Sequence, residues 1–349
     1  MSGDGTASTT AVLVNYNGHR DTIECVESLL RLTAPGARIV IVDNYSTSAS
    51  RERIKEWAAA QALASDVSST VWNTVLKSPR RAADFAVMSA AEAKHSTPSA
   101  WITLICSDDN LGYAGATNLG AAFALRDPNC HYIWVLNNDT VVEADALSAL
   151  QRRFSVTPQL GMCGSTLLYY DTPGMVQGLG GRFNLILGRG RPIGSGLPAG
   201  DLPSLDTVES QMNHVIGASI LTPRTFWEAV GPMEESYFLY FEELDWATRA
   251  KGVARMGWAP DSIVYHKEGA TIGSSVRHRP SNTSLYYLAV NLLRFNAKFH
   301  PLLLPLSVAK LVLLYLRYLF KRDAPAARLM LVALRDFTTR RYMRGPIGP

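Results

Sequence analysis

Asn137, Asn138 and Asp139 follow a short apolar run, Tyr132 to Leu136, and present one carboxylate and two amide oxygens in consecutive positions. Such a set can hold a hard divalent cation through oxygen and still leave positions open for phosphate oxygens and water. A second concentration of chemistry lies at Glu242, Glu243 and Asp245, three carboxylates within four residues, preceded by the aromatic run Tyr237 to Phe241. Like-charge crowding and burial among aromatics both raise a carboxyl pKa, the condition for a general base working near neutral pH. His266 ends an apolar stretch as Asp139 does, which makes it a candidate metal ligand. Plainer readings exist for each: a turn with a helix cap, an acidic helix N-terminus stabilised by the dipole, a structural histidine.

The elements that must position these groups read as an α/β alternation. Ala11 to Val14, Arg38 to Val42, Trp101 to Ile105 and Tyr132 to Leu136 are short, nearly continuous apolar runs, the pattern of strands buried on both faces. Each is followed by a polar loop: Asn15-Tyr-Asn-Gly18, Asp43-Asn-Tyr-Ser46, Asp109-Asn-Leu-Gly-Tyr-Ala-Gly115 and Asn137-Asn-Asp-Thr140. Ligands in open α/β sheets sit at the carboxyl ends of strands, where these loops fall. Helices are expected at Ile23 to Leu30, Arg51 to Leu63, Ala116 to Leu125 and Val141 to Phe154. Further strands are expected at Gly161 to Tyr170, His214 to Leu221, Arg255 to Trp258 and Ser262 to Tyr265, with a helix from Pro223 to Val230. Gly217-Ala-Ser219 permits close approach of a ligand or a neighbouring element. Asp171 to Leu202, dense in Gly and Pro, reads as a hairpin and loop, and residues 64–100 as a surface insertion. The glycine loop before Ala116 lacks both the complete G-x-G-x-x-G spacing and the Walker lysine, which disfavours a dinucleotide or P-loop site.

With 349 residues, 47% of them hydrophobic, the chain can bury a full core. Cys25, Cys106, Cys130 and Cys163 have neither zinc-site nor disulfide-framework spacing, so reduced thiols and a cytoplasmic setting are expected. Met1 to Thr10 lacks an apolar core, so no secretory signal is expected. From Lys298 onward there are ten Lys/Arg against two Asp/Glu, which leaves 24 basic and 28 acidic groups before it. A basic tail on a mildly acidic body points to an anionic surface as partner of the tail, not to nucleic acid. Leu302 to Phe320 is strongly apolar, but Ser307, Lys310, Arg317 and Lys321 recur as one polar stripe. A charge at the centre of a spanning helix costs roughly 2.5–3.5 kcal/mol on insertion scales, a cost that an amphipathic helix in the headgroup plane avoids. Residues 302–344 are therefore expected to attach the chain peripherally to the inner face of the cell membrane. The alternative is a helical hairpin packed on the body or across a homodimer.

In this order the motifs resemble those of the family 2 inverting glycosyltransferases with a GT-A fold, in particular their rhamnosyltransferase branch. They are Val14-Asn-Tyr-Asn-Gly18, Val42-Asp-Asn-Tyr-Ser46, Asn110-Leu-Gly-Tyr-Ala-Gly115 with Asn118, Leu136-Asn-Asn-Asp-Thr140, Gly217-Ala-Ser219, Phe241-Glu-Glu-Leu-Asp245 with Arg249, and Tyr265-His266. The resemblance implies an open twisted mixed sheet flanked by helices over residues 1–297 and a basic, membrane-associating helical tail over 298–349. It assigns nucleotide binding to Asn15, Asn17, Asp43 and Asn44, and the donor pocket to Asn110, Asn118 and Asn138. Asp139 and His266 would hold Mg²⁺ or Mn²⁺, and Glu243 or Glu242 would be the general base. Two positions depart from the family pattern: Asn137 replaces the first aspartate of the metal motif, and Glu243 stands where an aspartate base is usual. The implied reaction moves a sugar, L-rhamnose from dTDP-rhamnose first, to a glycan or polyprenyl-diphosphate acceptor in bacterial cell-surface polysaccharide synthesis. A UDP-hexose or galactofuranose transferase is the alternative. An NAD-dependent oxidoreductase would need a glycine fingerprint after the first strand, and a scaffold that only binds nucleotide sugars would release no nucleoside diphosphate.

Overall fold

The computed structural model describes residues 9–33, 36–60, 70–267 and 280–339. Five strands, β1 (Thr9–Asn15), β2 (Arg38–Asp43), β3 (Phe85–Ser89), β4 (Ile102–Cys106) and β5 (Tyr132–Asn137), run parallel in the spatial order β3-β4-β2-β1-β5. Their connections carry α1 (His19–Leu29), α2 (Ser48–Ala60), α3 (Thr70–Val75), α4 (Ala90–Ala93) and α5 (Gly112–Ala124). Helices cover both faces, so the central strands bury their side chains on both sides and read as unbroken apolar runs. Register then aligns the strand ends: Asn15 stands opposite Asp43, Asp43 opposite Cys106, and Val14 opposite Asn137. The polar loops therefore open along one edge of the sheet.

The second half turns the sheet mixed. It comprises β6 (Thr140–Val142), α6 (Ala146–Val156), β7 (Leu160–Tyr169), β8 (Thr172–Gly178), β9 (Gly181–Asn184), β10 (Arg189–Pro192), α7 (Leu205–Gln211), β11 (Ser219–Pro223), α8 (Arg224–Val230), α9 (Glu242–Arg249) and β12 (Arg255–His266). The ten-stranded sheet continues from β5 through β11, β7 and β12 to β6, with β8 paired to β7, while β9 and β10 form a separate ribbon. The expected α/β architecture is borne out, with local differences. Helix was expected from Val141, but the β-branched Thr140, Val141 and Val142 pair antiparallel with His266, Tyr265 and Val264. Strand was expected from His214, yet β11 begins at Ser219 and leaves Gly217 and Ala218 in the preceding turn. The two short strands expected before His266 are one, β12, interrupted by a register shift between Ala259 and Ile263. The segment expected as surface insertion supplies edge strand β3; strands with one neighbour bury little, which is why its sequence carries no strong pattern.

Past α9, α10 (Asn282–Phe299), α11 (Leu304–Phe320) and α12 (Ala324–Thr339) form a helical cluster with its own core, including Val290, Leu293, Leu311, Met330 and Ala333. α10 runs across the expected boundary at 298. The polar stripe of α11 divides. Ser307 is buried and accepts a hydrogen bond from Asn296 Nδ2 at 2.6 Å. Lys310 turns inward to the β9–β10 ribbon. The outward face is apolar, with Leu313 66% and Phe320 92% exposed. Pro301–Phe320 is the one helical stretch among the described residues long and apolar enough to cross a membrane by length and composition. Arg340, Arg341 and Arg344 of the expected membrane segment lie outside the described residues.

Candidate active site

The loops after β1 and β2 are knotted together by side-chain amides. Asn15 is fully buried. Its Nδ2 donates to Asp43 Oδ2 at 2.8 Å and Ser46 Oγ at 3.1 Å, and its Oδ1 accepts from Gly18 N at 3.2 Å and Thr22 Oγ1 at 2.9 Å. Asp43 is also met by Ser46 N and by the Arg51 guanidinium, whose Nε lies 2.8 Å from Oδ1. Asn17, at φ 56°, accepts from Thr47 N. Asn138 donates to Thr22 Oγ1 at 2.9 Å, which joins the β5 loop to the same network. Asn44 donates to Asn110 Oδ1 at 2.9 Å and accepts from Leu111 N at 2.8 Å, fixing the glycine loop. Six of the seven expected donor residues thus form one hydrogen-bonded system along the sheet edge. Asn118 has other partners: its amide donates to Met233 O and Glu235 Oε1 and accepts from Met233 N, bracing the approach to α9. Exposed on the two strand-end loops are the rings of Tyr16 and Tyr45.

Strand register brings together Asp139 and His266, 127 positions apart in the chain, because His266 pairs with Thr140. Asp139 Oδ1 and His266 Nε2 lie 3.2 Å apart. Asn137 brings its amide to 3.4 Å from the same Nε2. His266 Nδ1 lies 2.8 Å from Gln177 Oε1, so the ring proton belongs on Nδ1 and the Nε2 lone pair is left for a ligand. The Tyr113 hydroxyl contacts both the Asn137 amide, at 3.1 Å, and the Gly217 carbonyl, at 3.2 Å. A hydroxyl has one proton and a carbonyl only accepts, so both contacts are satisfied when Asn137 donates its amide N–H to the hydroxyl. Amide ends exchange by a half-turn, and that half-turn points Asn137 Oδ1 at Nε2. Oxygen, oxygen and nitrogen lone pairs then face one another with no proton between them.

A divalent cation fits this donor set. Adjacent ligands of an octahedral ion with bonds of about 2.0–2.1 Å stand roughly 3 Å apart, close to the 3.2 Å between Asp139 and His266. Among the described residues no third His, Cys, Asp or Glu joins the pair. Remaining positions would fall to the Asn137 oxygen, to water and to a phosphorylated substrate. When His266 also carries a proton on Nε2, burial still favours the neutral Asp139 carboxyl, but the imidazolium charge, its hydrogen bond and the local backbone outweigh that and hold the carboxyl below the ordinary carboxylate range.

The acidic cluster occupies the first turn of α9. Glu243 packs its carboxylate against Gly217, where a Cβ would stand 1.8 Å from Oε1; this is the close approach that the small residue permits. Gly217, Tyr113 and Asn137 thus connect Glu243 to the Asp139–His266 pair through direct contacts. The three carboxylates have separate fates. Asp245 is buried in ion pairs with Arg249 at 2.7 Å and Lys298 at 2.7 Å. Glu242 is buried, and its Oε1 finds no hydrogen-bond partner among the described residues. Glu243 is half-buried beside Gly217. Burial pushes Glu243 up, and burial together with the Glu243 charge pushes Glu242 well up. The preceding turn holds Phe238, Tyr240 and Phe241 at φ 64°, 66° and 77°, a left-handed conformation costly for bulky residues. Asn291 of α10 restrains it by donating to the carbonyls of Tyr237 at 2.9 Å, Leu239 at 2.8 Å and Tyr240 at 3.1 Å.

Among solved structures, that of GalNAc-T7 with UDP, GalNAc and Mn²⁺ superposes with a TM-score of 0.52 at 14% identity, over 83% of this chain and 48% of that one. The fold is GT-A. The mannosyltransferase PcManGT of Pyrobaculum calidifontis, in complex with GDP-Man and Mn²⁺, aligns over 96% of this chain and 77% of its own, with TM-score 0.49 and 15% identity. In sequence, a low-salt glycan biosynthesis hexosyltransferase, Agl10 of Haloferax volcanii, is 26% identical over 150 residues, 43% of this chain. The match spans 46% of that relative's length. No family profile matches the chain. On this GT-A sheet, Tyr113, Gln177 and Asn291 are the site-forming residues to which sequence reasoning gave no role.

Proposed function

We propose that the chain is a metal-dependent, inverting glycosyltransferase. The observation that carries this reading is one chain of contacts that joins Asp139 and His266 to Glu243 through Asn137, Tyr113 and Gly217. The braced loops of Asn15, Asn17, Asp43, Asn44, Asn110 and Asn138 would cradle the nucleotide of the donor, with Tyr16 and Tyr45 as exposed surfaces for its base. Asp139, His266 and the Asn137 oxygen would hold Mg²⁺ or Mn²⁺, whose charge favours departure of a nucleoside diphosphate. Glu243 takes the acceptor hydroxyl proton, the acceptor oxygen bonds to the anomeric carbon, and the bond to the diphosphate oxygen breaks on the opposite face with its electron pair. One displacement inverts the configuration. Asp245 is committed to Arg249 and Lys298, and Glu242 is enclosed, so Glu243 is the base.

For the substrate, the motif resemblance supports dTDP-rhamnose first and a UDP-hexose second, with a glycan or polyprenyl-diphosphate-linked acceptor at the inner membrane face. The apolar outer side of α11 supports peripheral attachment there. The test is release of nucleoside diphosphate from a panel of sugar nucleotides with Mg²⁺ or Mn²⁺, with and without lipid acceptor. Release with a metal and one donor class, abolished in Glu243→Gln, is expected. Release that is equal with EDTA, or that survives Glu243→Gln, removes the mechanism.

A further inference from the structure

The β9–β10 ribbon stands outside the main sheet, and its two faces differ. Phe183 points inward, with ring centroids 5.3 Å from Phe241 and 6.2 Å from Phe295, and Leu185 packs against the same helical core. The tip does the reverse: Ile186 is 65% and Leu187 58% exposed. Arg182, Arg189 and Arg191, all exposed, line the strands behind the tip. Lys310 joins this ribbon to the tail, donating from Nζ to Leu187 O at 2.6 Å and Gly188 O at 2.7 Å. The exposed tip therefore adjoins α11 at Lys310, and that helix carries its own exposed Leu313 and Phe320, with Arg317, Lys321 and Arg322 exposed on the same helix and its end.

We propose that the β9–β10 hairpin is a second membrane-docking element, its Ile186–Leu187 tip entering an anionic bilayer beside α11 while the arginines behind it meet lipid headgroups. Soluble proteins seldom leave large apolar side chains contiguous unless something covers them, and an apolar tip rimmed by arginines matches a negatively charged interface. A second copy of the chain is a poorer occupant, since both partners would bring like-charged rims together. The contact from Phe183 to Phe241 adds a consequence. Phe241 immediately precedes Glu242 and Glu243, so the element seated on lipid also packs against the start of the base-bearing helix. A lipid-anchored acceptor then meets the base at a depth that the hairpin sets. The inference rests on the peripheral attachment proposed above.

The experiment is co-sedimentation of the full chain with phosphatidylcholine vesicles with and without phosphatidylserine, comparing wild type, Ile186→Asp/Leu187→Asp and Arg189→Glu/Arg191→Glu. Melting temperature and light scattering are followed in parallel. Wild type should bind the anionic vesicles, and each double variant should bind at least about tenfold more weakly, with unchanged melting temperature and a monomer mass throughout. If wild type binds and both variants bind equally, the hairpin proposal falls while attachment through α11 stands. If wild type ignores both vesicle types, peripheral attachment itself is wrong and the hairpin proposal goes with it. If wild type is a dimer that the variants dissociate, the tip covers a second copy and the bilayer assignment is overturned.

Discussion

Three carboxylates that look interchangeable in sequence occupy three electrostatic situations. Asp245 is neutralised by Lys298, 53 positions away, a partner no local pattern announces. Glu242→Gln should retain most turnover, whereas Glu243→Gln should lose about 10²–10⁴-fold in kcat, the usual range for a general base; steady-state kinetics on the two variants separates them. Glu243 acts deprotonated and burial raises it above 4.5, so kcat/KM should climb with pH through an inflection above the ordinary glutamate value and then level off. The same shifts bear on stability. A carboxyl whose folded pKa is raised stabilises most at pH below its unfolded pKa, and that contribution is lost as pH rises toward the folded one. Glu242→Gln should therefore raise the neutral-pH Tm, by calorimetry. Gln177→Leu removes the partner that keeps the His266 proton on Nδ1 and should weaken Mn²⁺ binding about 10–100-fold in isothermal titration without donor. Asp139 and His266 were legible as candidates because one lies in the turn directly after β5 and the other ends β12. Tyr113 and Gln177 were not, because their significance lies in which acceptor or ring nitrogen they face.

Among the elements, the parallel half of the sheet was readable from its apolar runs, since burial on both faces leaves no alternation to misread. The antiparallel additions were harder. Thr140 to Val142 is too short to show a period, and its identity as strand depends on β12 lying beside it. In sequence the turn from Tyr237 to Phe241 is only an aromatic run, and its left-handed backbone is restrained by Asn291, one side chain on a distant helix. Asn291→Ala leaves three carbonyls without that donor, at about 1–3 kcal/mol for each buried group that stays unsatisfied. It should lower kcat more than it raises donor KM, because α9 shifts while the nucleotide loops do not. A misplacement near 1 Å costs about 10²-fold, and Gly217→Ala, which drives a methyl into Glu243, should show a loss of that order with donor affinity retained.

Over the whole molecule, the tail is both part of the fold and a surface. Leu311, Met330 and Ala333 are buried against α10, so ending the chain after His300 uncovers an apolar helix instead of cleanly removing a membrane anchor. Such a truncation should melt earlier and self-associate, measured by calorimetry and light scattering; a monomer with unaltered Tm would show that α11 and α12 add nothing to the core. Composition showed the tail to be basic and amphipathic, but not which side faced the body. Facing was decided by Asn296 and the ribbon carbonyls, which claim Ser307 and Lys310 for the interior and leave the leucines outside.

β12 pairs with β7 in two stretches whose phase changes between Ala259 and Ile263. Side chains on a strand alternate, so the imidazole reaches Asp139 only because the offset upstream leaves position 266 on the correct side. A one-position slip of the stretch after that offset against β6 and β7 would reverse its parity and present the ring to the opposite layer of helices. The stretch between Ala259 and Ile263 therefore fixes which layer of the molecule the proposed metal pair faces.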